Sequence, residues 1–209
     1  MPNLYTVNLI IENRLCLVVG GGKVAARKTL SLIECGAVVK AVSSCFCDTF
    51  LDLGEKGIVQ LLHRPFKDED LKDVFLVICA TDSETINSQV SQICHQNNTL
   101  VNVVDDPAKC SFFVPSVLRR GDLSIAISTK GQSPALASKI KQDLSIQYGD
   151  EYERYLKILG SARQKILNDI KNPLKRREIL IKLLDFDLYD LISMEEDGRL
   201  KEWIDTCSS

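Results

Sequence analysis

The sequence predicts an α/β protein in which a parallel sheet is followed by a β-hairpin, a helix and a small all-helical C-terminal domain. Within the first hundred residues, five short apolar segments alternate with segments of helical periodicity. Strands separated by helices indicate a parallel sheet with right-handed crossovers. After Asp105-Asp106-Pro107 the pattern changes, because two adjacent strand-like segments precede a remainder that is helical throughout.

Each predicted strand is a short apolar run bounded by glycine or polar residues. The five strands are predicted at residues 15–19, 38–42, 58–62, 74–80 and 100–104. Continuous apolar runs such as 74–80 are typical of strands that are buried on both faces of a parallel sheet.

The helices between these strands have recognisable ends. A helix over residues 23–35 ends before Gly36, in the manner of a helix-terminating glycine. A polar helix over 48–56 ends at Gly57, and Ser83 is suited to cap a third helix that extends to about Cys94.

The second half begins with two strands, at 111–118 and 123–128, joined by a hairpin turn. Ser133-Pro134 then supplies an N-cap followed by proline at the first helical position, which opens a helix to about Gln147. Further helices are predicted at 152–170, 173–184 and 195–204. The predicted domains are therefore a nucleotide-type domain over 1–110, a hairpin-helix segment over 111–149 and a helical domain over 150–209.

Composition and charge exclude several classes of function. The formal net charge is −2, which gives no general electrostatic case for binding nucleic acid or an anionic membrane. No apolar run approaches the roughly 18 to 20 residues that span a bilayer. The N-terminal residues lack the basic and apolar regions of a secretory signal, so we expect a cytoplasmic protein.

The eight cysteines are expected to be free thiols. Cys45 and Cys47 are the only close pair, and their spacing is not that of a zinc site. Neither histidine stands in a metal-binding frame, so no resident metal is predicted. A disulfide framework would suit a short secreted chain, which this is not.

A glycine-rich turn follows the first strand. Gly20-Gly21-Gly22-Lys23-Val24-Ala25 forms a G-x-G-x-x-A pattern between a strand and a helix. In a Rossmann-type domain, this pattern allows a tight turn, close approach of a pyrophosphate and close packing of the helix, whose free amides attract the phosphates. The alternative is a tight turn that binds no ligand.

The end of the second strand bears on the choice of cofactor. An acidic residue there usually binds the ribose of NAD, and an arginine accommodates the 2′-phosphate of NADP. This chain has Ser43-Ser44-Cys45 instead. The missing arginine favours NAD, with hydroxyl and backbone groups holding the ribose.

Carboxylates follow the fourth and fifth strands, at the edge where open α/β sheets bind ligands. Asp105 is closest to its strand and is the preferred general base. Asp106 precedes Pro107, so a turn-forming role is preferred for it. Asp82 is suited equally to a site role and to helping cap the next helix.

Basic residues surround the hairpin. Arg119, Arg120 and Lys130 form a cluster, with Lys139 and Lys141 on the following helix. Together they are suited to bind a polyanionic substrate, although each taken singly is a common kind of solvated surface charge.

Several ordered blocks resemble the precorrin-2 dehydrogenase family, which includes the N-terminal part of siroheme synthase. The segment over residues 18–28, VVGGGKVAARK, is similar to the family signature. The later family blocks are matched in the same order by residues 80–82, 102–105, 112–116 and 128–135. The resemblance covers roughly residues 1 to 150.

The resemblance implies NAD-dependent oxidation of precorrin-2 to sirohydrochlorin by an intertwined homodimer, with the hairpin and helix from about 112 to 148 at the dimer interface. The family's essential aspartate falls on Asp105. The predicted cofactor contacts are Gly20, Gly22, Lys23, Val24, Ser44, Cys45 and Thr81. Precorrin-2 carries many carboxylates, which gives Arg119, Arg120 and Lys130 a role in substrate binding.

Two alternatives remain open. Some family members also insert Fe²⁺ into sirohydrochlorin, and the absence of a metal-ligand cluster does not decide this. A redox sensor that binds NAD(H) without chemistry is the other. The C-terminal helices mix acidic and basic residues, which argues against a DNA-binding face. The methyltransferase half of the fused siroheme synthases is expected to be absent.

Overall fold

The computed structural model describes residues 3–208, so residues 1, 2 and 209 of the predicted first and last domains lie outside it. The chain forms two compact units, which meet in sequence between Val114 and Pro115. The finer division into domains over 1–110, 111–149 and 150–209 stays a prediction.

The first unit contains a five-stranded parallel sheet with strand order β3-β2-β1-β4-β5. Its strands are β1 (Leu15–Val19), β2 (Val38–Ser43), β3 (Val59–His63), β4 (Leu76–Cys79) and β5 (Leu100–Val103). The helices between them are α1 (Lys23–Glu34), α2 (Asp48–Glu55) and α3 (Glu84–Gln96). The parallel sheet predicted from the alternating pattern is therefore confirmed.

Side chains from the two faces of this sheet enter separate apolar clusters. Cys16, Val18 and Ile78 point to one cluster, together with Phe50 of α2. Leu17 and Val77, one residue along each strand, belong to the other. Because successive side chains of a strand point to opposite faces, burial on both faces explains the uninterrupted apolar runs.

The second unit begins with an antiparallel hairpin and continues as helices. Its elements are β6 (Ser116–Arg120), β7 (Leu123–Ile127), α4 (Pro134–Gln147), α5 (Glu151–Asp169), α6 (Pro173–Lys182), α7 (Leu188–Glu196) and α8 (Arg199–Ser208). An apolar cluster that includes Ile166, Leu183 and Leu191 packs α5 to α8 together. The predicted hairpin, helix and helical C-terminal region are confirmed.

Two predicted elements were wrong in their extent. The strand predicted from residue 111 begins only at Ser116, because Ser111 instead exchanges hydrogen bonds with Val101 at the edge of β5. The single helix predicted over 195–204 is two helices. Gly198, at φ 81°, ends α7 before α8 begins, since a left-handed residue cannot continue a right-handed helix.

No helix within residues 3–208 combines the length and the apolar character that crossing a membrane requires.

Candidate functional site

A cleft of about 720 Å³ lies at the carboxyl edge of the sheet, within the first unit. Volumes of this size are typical of small-molecule and cofactor sites. The predicted cofactor residues all line it, although they come from three separate loops: Gly20, Gly22, Lys23, Val24, Ser44, Cys45 and Thr81. The fold therefore brings together residues that the sequence placed up to about sixty positions apart.

The glycine turn after β1 is packed tightly between its neighbours. A Cβ on Gly20, whose φ is 121°, would overlap the carbonyl of Ala80, and one on Gly21 would overlap the carbonyl of Cys45. Backbone hydrogen bonds hold the turn in place, from Gly20 N–H to Val42 (2.9 Å) and from Cys47 N–H to Gly21 (2.8 Å). These two glycines let the loops after β2 and β4 converge on the turn.

Gly22 differs from the two glycines before it, because a Cβ there would meet nothing within 4 Å. It is the N-cap of α1, and no side chain caps this helix. The first N–H groups of α1 therefore lack intrahelical acceptors and carry the positive end of the helix dipole. An uncapped helix start beside open space fits a pyrophosphate group, so the residues present suit a dinucleotide.

Thr81, after β4, is held by a polar network. Its hydroxyl donates to Asn87 Oδ1 (2.8 Å), and Asn87 Nδ2 donates to the Thr81 carbonyl (3.0 Å). Ser83 caps α3 by accepting from the N–H of Ile86, as predicted. Asp82 is exposed and lines the cleft.

Asp105 lies at the same edge of the sheet, two residues after β5. The register pairs Cys79 of β4 with Val103 of β5, so Thr81 and Asp105 follow neighbouring strands at equal distance. Asp105 is exposed and has a left-handed backbone, with φ 63°. Residues in sparsely populated backbone regions cluster at functional sites.

Lys28 of α1 interacts electrostatically with Asp105, a relation that no local signal in the sequence predicts. Burial and the adjacent Arg27 lower the pKa of the Lys28 ammonium, whereas the negative charge of Asp105 raises it.

Asp106 has a different task from that of Asp105. It accepts a hydrogen bond from Ala108 N–H (3.1 Å) and forms an ion pair with Lys109 (2.6 Å). The hydrogen bond from Lys109 lowers the pKa of the Asp106 carboxyl. The turn-forming role preferred from the sequence therefore agrees with its contacts.

Cys110 organises the same turn, and sequence reasoning missed it. Its sulfur lies 3.2 Å from Val103 N, 3.2 Å from the Val103 carbonyl oxygen and 3.2 Å from the Asp106 carbonyl oxygen. Burial raises the pKa of the Cys110 thiol, which keeps it protonated as a donor. All eight cysteines are free thiols.

The predicted substrate residues lie in the second unit. Arg120 donates to the carbonyls of Tyr148 (3.0 Å) and Ser145 (3.5 Å) and forms an ion pair with Asp150 (3.1 Å), so its guanidinium serves the C-terminal end of α4. Arg119 and Lys130 are exposed, and Lys130 has φ 52°. The role of Arg119, Arg120 and Lys130 in substrate binding stays a prediction.

Among residues 3–208, no group of three or more His, Cys, Asp or Glu side chains is arranged to hold a metal ion.

Comparisons with known proteins agree with this geometry. Residues 7–116 match the family described as "Putative NAD(P)-binding", and residues 120–145 match "Sirohaem biosynthesis protein central". A solved structure titled "SirC, precorrin-2 dehydrogenase" superposes with a TM-score of 0.80 at 29% identity, and the match covers 97% of this chain and 100% of that one.

Two siroheme synthases are also similar. That of Pseudoalteromonas translucida is 37% identical over 168 residues, which cover 80% of this chain and 36% of that protein. Siroheme synthase 2 of Yersinia enterocolitica is 33% identical over 196 residues, 93% of this chain and 42% of that protein. The chain thus spans about two fifths of the length of these curated relatives.

Proposed function

The chain belongs to the NAD(P)-binding family that includes siroheme synthases and precorrin-2 dehydrogenase, and we propose on this premise that it oxidises precorrin-2 to sirohydrochlorin with NAD. One observation carries the proposal. The glycine turn of a dinucleotide cleft and the carboxylate of Asp105 lie at one edge of one sheet, as a dehydrogenase requires of its cofactor and its base.

Different residues of the cleft would bind different parts of the dinucleotide. The amides at the start of α1, from Lys23 and Val24, would hold the pyrophosphate, which Gly20 and Gly22 allow to approach. Ser44 and Cys45 would hold the ribose after β2, and Thr81 would contact the cofactor from the loop after β4. When bound, the oxidised nicotinamide ring supplies an acceptor for a hydride.

Asp105 takes the proton in this mechanism. Oxidation of precorrin-2 to sirohydrochlorin removes two electrons and two protons, which corresponds to one hydride and one proton. The carboxylate of Asp105, at the carboxyl edge of the sheet, would accept that proton. Arg119 and Lys130 would bind the substrate carboxylates. Arg120 would have to exchange its contacts at the end of α4 to join them.

NAD is proposed rather than NADP because Ser43 and Ser44 at the end of β2 offer no cation to a 2′-phosphate. A homodimer is also part of the proposal. It is supported by α4, where only Ala137 is buried within the chain and the large apolar side chains of Leu136 and Ile146 are exposed. We retain a cytoplasmic location, with no nucleic acid or membrane as partner.

The test is an anaerobic assay with enzymatically prepared precorrin-2 and NAD, which follows sirohydrochlorin by its absorbance. We expect turnover by the wild type and a loss of about 100- to 10,000-fold in Asp105→Asn. Asparagine tolerates a left-handed backbone, so the variant should fold and bind NADH normally. Asp106→Asn is the matched control, with a much smaller loss. Equal turnover by Asp105→Asn and wild type would contradict the role of Asp105.

Iron insertion is a second candidate, favoured by relatives that are named for siroheme, the iron-containing product. Fe²⁺ would be a substrate here. The same preparation, given Fe²⁺ and purified sirohydrochlorin, should form siroheme faster than the uncatalysed reaction. A rate equal to the uncatalysed one would reject this activity and leave the dehydrogenase untouched. NADH binding without any turnover would favour a redox sensor instead.

A further inference from the structure

We propose that Asp70 sets the cofactor preference of the cleft, by holding Arg64 away from the position that the 2′-phosphate of NADP would occupy. This inference rests on the proposed function, since it requires a dinucleotide in the cleft. It concerns an arginine that lies on β3's side of the cleft, rather than at the end of β2 where such a residue is usually sought.

Arg64 does not itself line the cleft, but it lies between the end of β3 and two residues that do. It directly follows β3, whose last residue, His63, is the register partner of Ser43 at the end of β2. Paired strands lie about 5 Å apart, a distance that an arginine side chain easily spans. The next two residues, Pro65 and Phe66, line the cleft together with Ser43.

The guanidinium of Arg64 is committed to other acceptors. Its Nη1 donates to Asp70 Oδ2 (2.8 Å) and to the Pro65 carbonyl (3.0 Å), and its Nη2 donates to Asp70 Oδ1 (2.5 Å). A two-point pair of this kind is both strong and directional. The hydrogen bond to Asp70 raises the pKa of Arg64 and lowers that of Asp70, so both partners stay charged.

Asp70 is itself firmly placed. Its side chain is only 6% exposed, against 35% for that of Arg64. Asp70 belongs to the short helix Asp68–Leu71, and its Oδ2 also accepts from the N–H of Lys67, the N-cap of that helix (2.9 Å). Breaking the pair would leave a buried carboxylate without its cation, which is unfavourable. Arg64 is therefore held to Asp70 and would not be released by a surface phosphate.

This pair explains how the cleft could prefer NAD without an acidic residue after β2. Ser43 and Ser44 do not repel a 2′-phosphate, so discrimination must come from the lack of an available cation. Arg64 is such a cation, and Asp70 both neutralises it and directs it away.

The experiment titrates NADH and NADPH separately into the purified full chain, by nicotinamide fluorescence or calorimetry, without any turnover. The variants are Asp70→Asn, the double variant Arg64→Gln/Asp70→Asn, and Asp68→Asn as a matched control. Asp68 is a neighbouring carboxylate that accepts from Gln89 (2.7 Å) rather than from Arg64. Thermal unfolding establishes that each variant is folded.

We expect Asp70→Asn to bind NADPH about tenfold more tightly, as one charge-assisted contact would allow, while NADH affinity changes less than about twofold. The double variant and Asp68→Asn should keep the wild-type ratio of the two affinities. An unchanged ratio in folded Asp70→Asn, or a gain that persists in the double variant, would overturn the inference.

If Asp70→Asn does not fold, Asp70→Ser takes its place, because it also removes the carboxylate and should give the same gain in NADPH affinity. The double variant, which removes both charges together, tests the inference in a second way. A selective loss of NADPH binding would overturn it, because Arg64 would then already contact the phosphate. If the wild type binds NADH and no variant changes the ratio of the two affinities, only this inference is refuted. If the wild type binds neither nucleotide, the proposed function is contradicted as well.

Discussion

The parallel sheet and the hairpin with α4 differ sharply in how much of their apolar surface the chain itself covers. All four residues of β4 are buried, and four of the five in β1. In β6, β7 and α4, only Leu118 and Ala137 are buried. Because a two-stranded hairpin is marginally stable alone, the difference indicates that the hairpin and α4 depend on further packing, whereas the strands of the sheet are covered by residues of their own unit.

The largest expected effect is in the core of the sheet domain. Phe50 is fully buried, so Phe50→Ala should lower the free energy of unfolding by about 3–5 kcal/mol, through lost burial and a residual cavity. Denaturant titration measures this loss. Leu51→Ala, on the exposed side of the same helix, should lose much less. Equal losses of unfolding free energy in the two variants would contradict this prediction, because the burial of Phe50 would then not stabilise the sheet domain.

An intermediate effect is expected at the glycine turn of the sheet domain, where a substitution should weaken cofactor binding without lowering the stability of the fold. Gly22 has φ −81° and ψ 177°, which alanine adopts without strain. Gly22→Ala should therefore unfold like the wild type, yet bind NADH at least about tenfold more weakly, because the new methyl group occupies the pyrophosphate approach. NADH titration checks this. Gly160→Ala, which also adds a methyl group into open space, is the control. Unchanged binding in Gly22→Ala would place the pyrophosphate elsewhere.

The smallest effect is expected in α4. Ile146 is 85% exposed, so Ile146→Ala should change the free energy of unfolding of the protomer by less than about 0.5 kcal/mol. If α4 lies at a dimer interface, the same substitution should weaken association about fivefold, as loss of a moderate interface contact does. Sedimentation equilibrium measures the association. A wild type that is monomeric at all concentrations would reject the dimer and leave α4 unexplained.

The same contrast decides what the sequence could predict. The strands and the glycine turn were predictable, because apolar runs and glycine spacing are local signals whose meaning does not depend on distant residues. The position of Asp105 at the sheet edge was predictable for the same reason, since it lies two residues after an apolar strand.

Contacts between distant residues were not predictable. The coupling of Lys28 to Asp105 and the pairing of Val101 with Ser111 depend on how separate elements pack. The break at Gly198 is a different kind of omission, because glycine is the same local stop signal that marked the helix ends at Gly36 and Gly57, and its left-handed backbone ends α7. Arg64 illustrates the limit most clearly, since its six-residue separation from Asp70 carries no signal of a two-point ion pair.

The most direct test of the central claim counts products under strictly anaerobic conditions. Purified protein, precorrin-2 and NAD are mixed, and NADH and sirohydrochlorin are measured together by their absorbance. We predict one NADH for each sirohydrochlorin formed, because the substrate loses one hydride and one proton. Sirohydrochlorin that forms without NADH, or no product from folded protein that binds NADH, would contradict the assignment as a dehydrogenase.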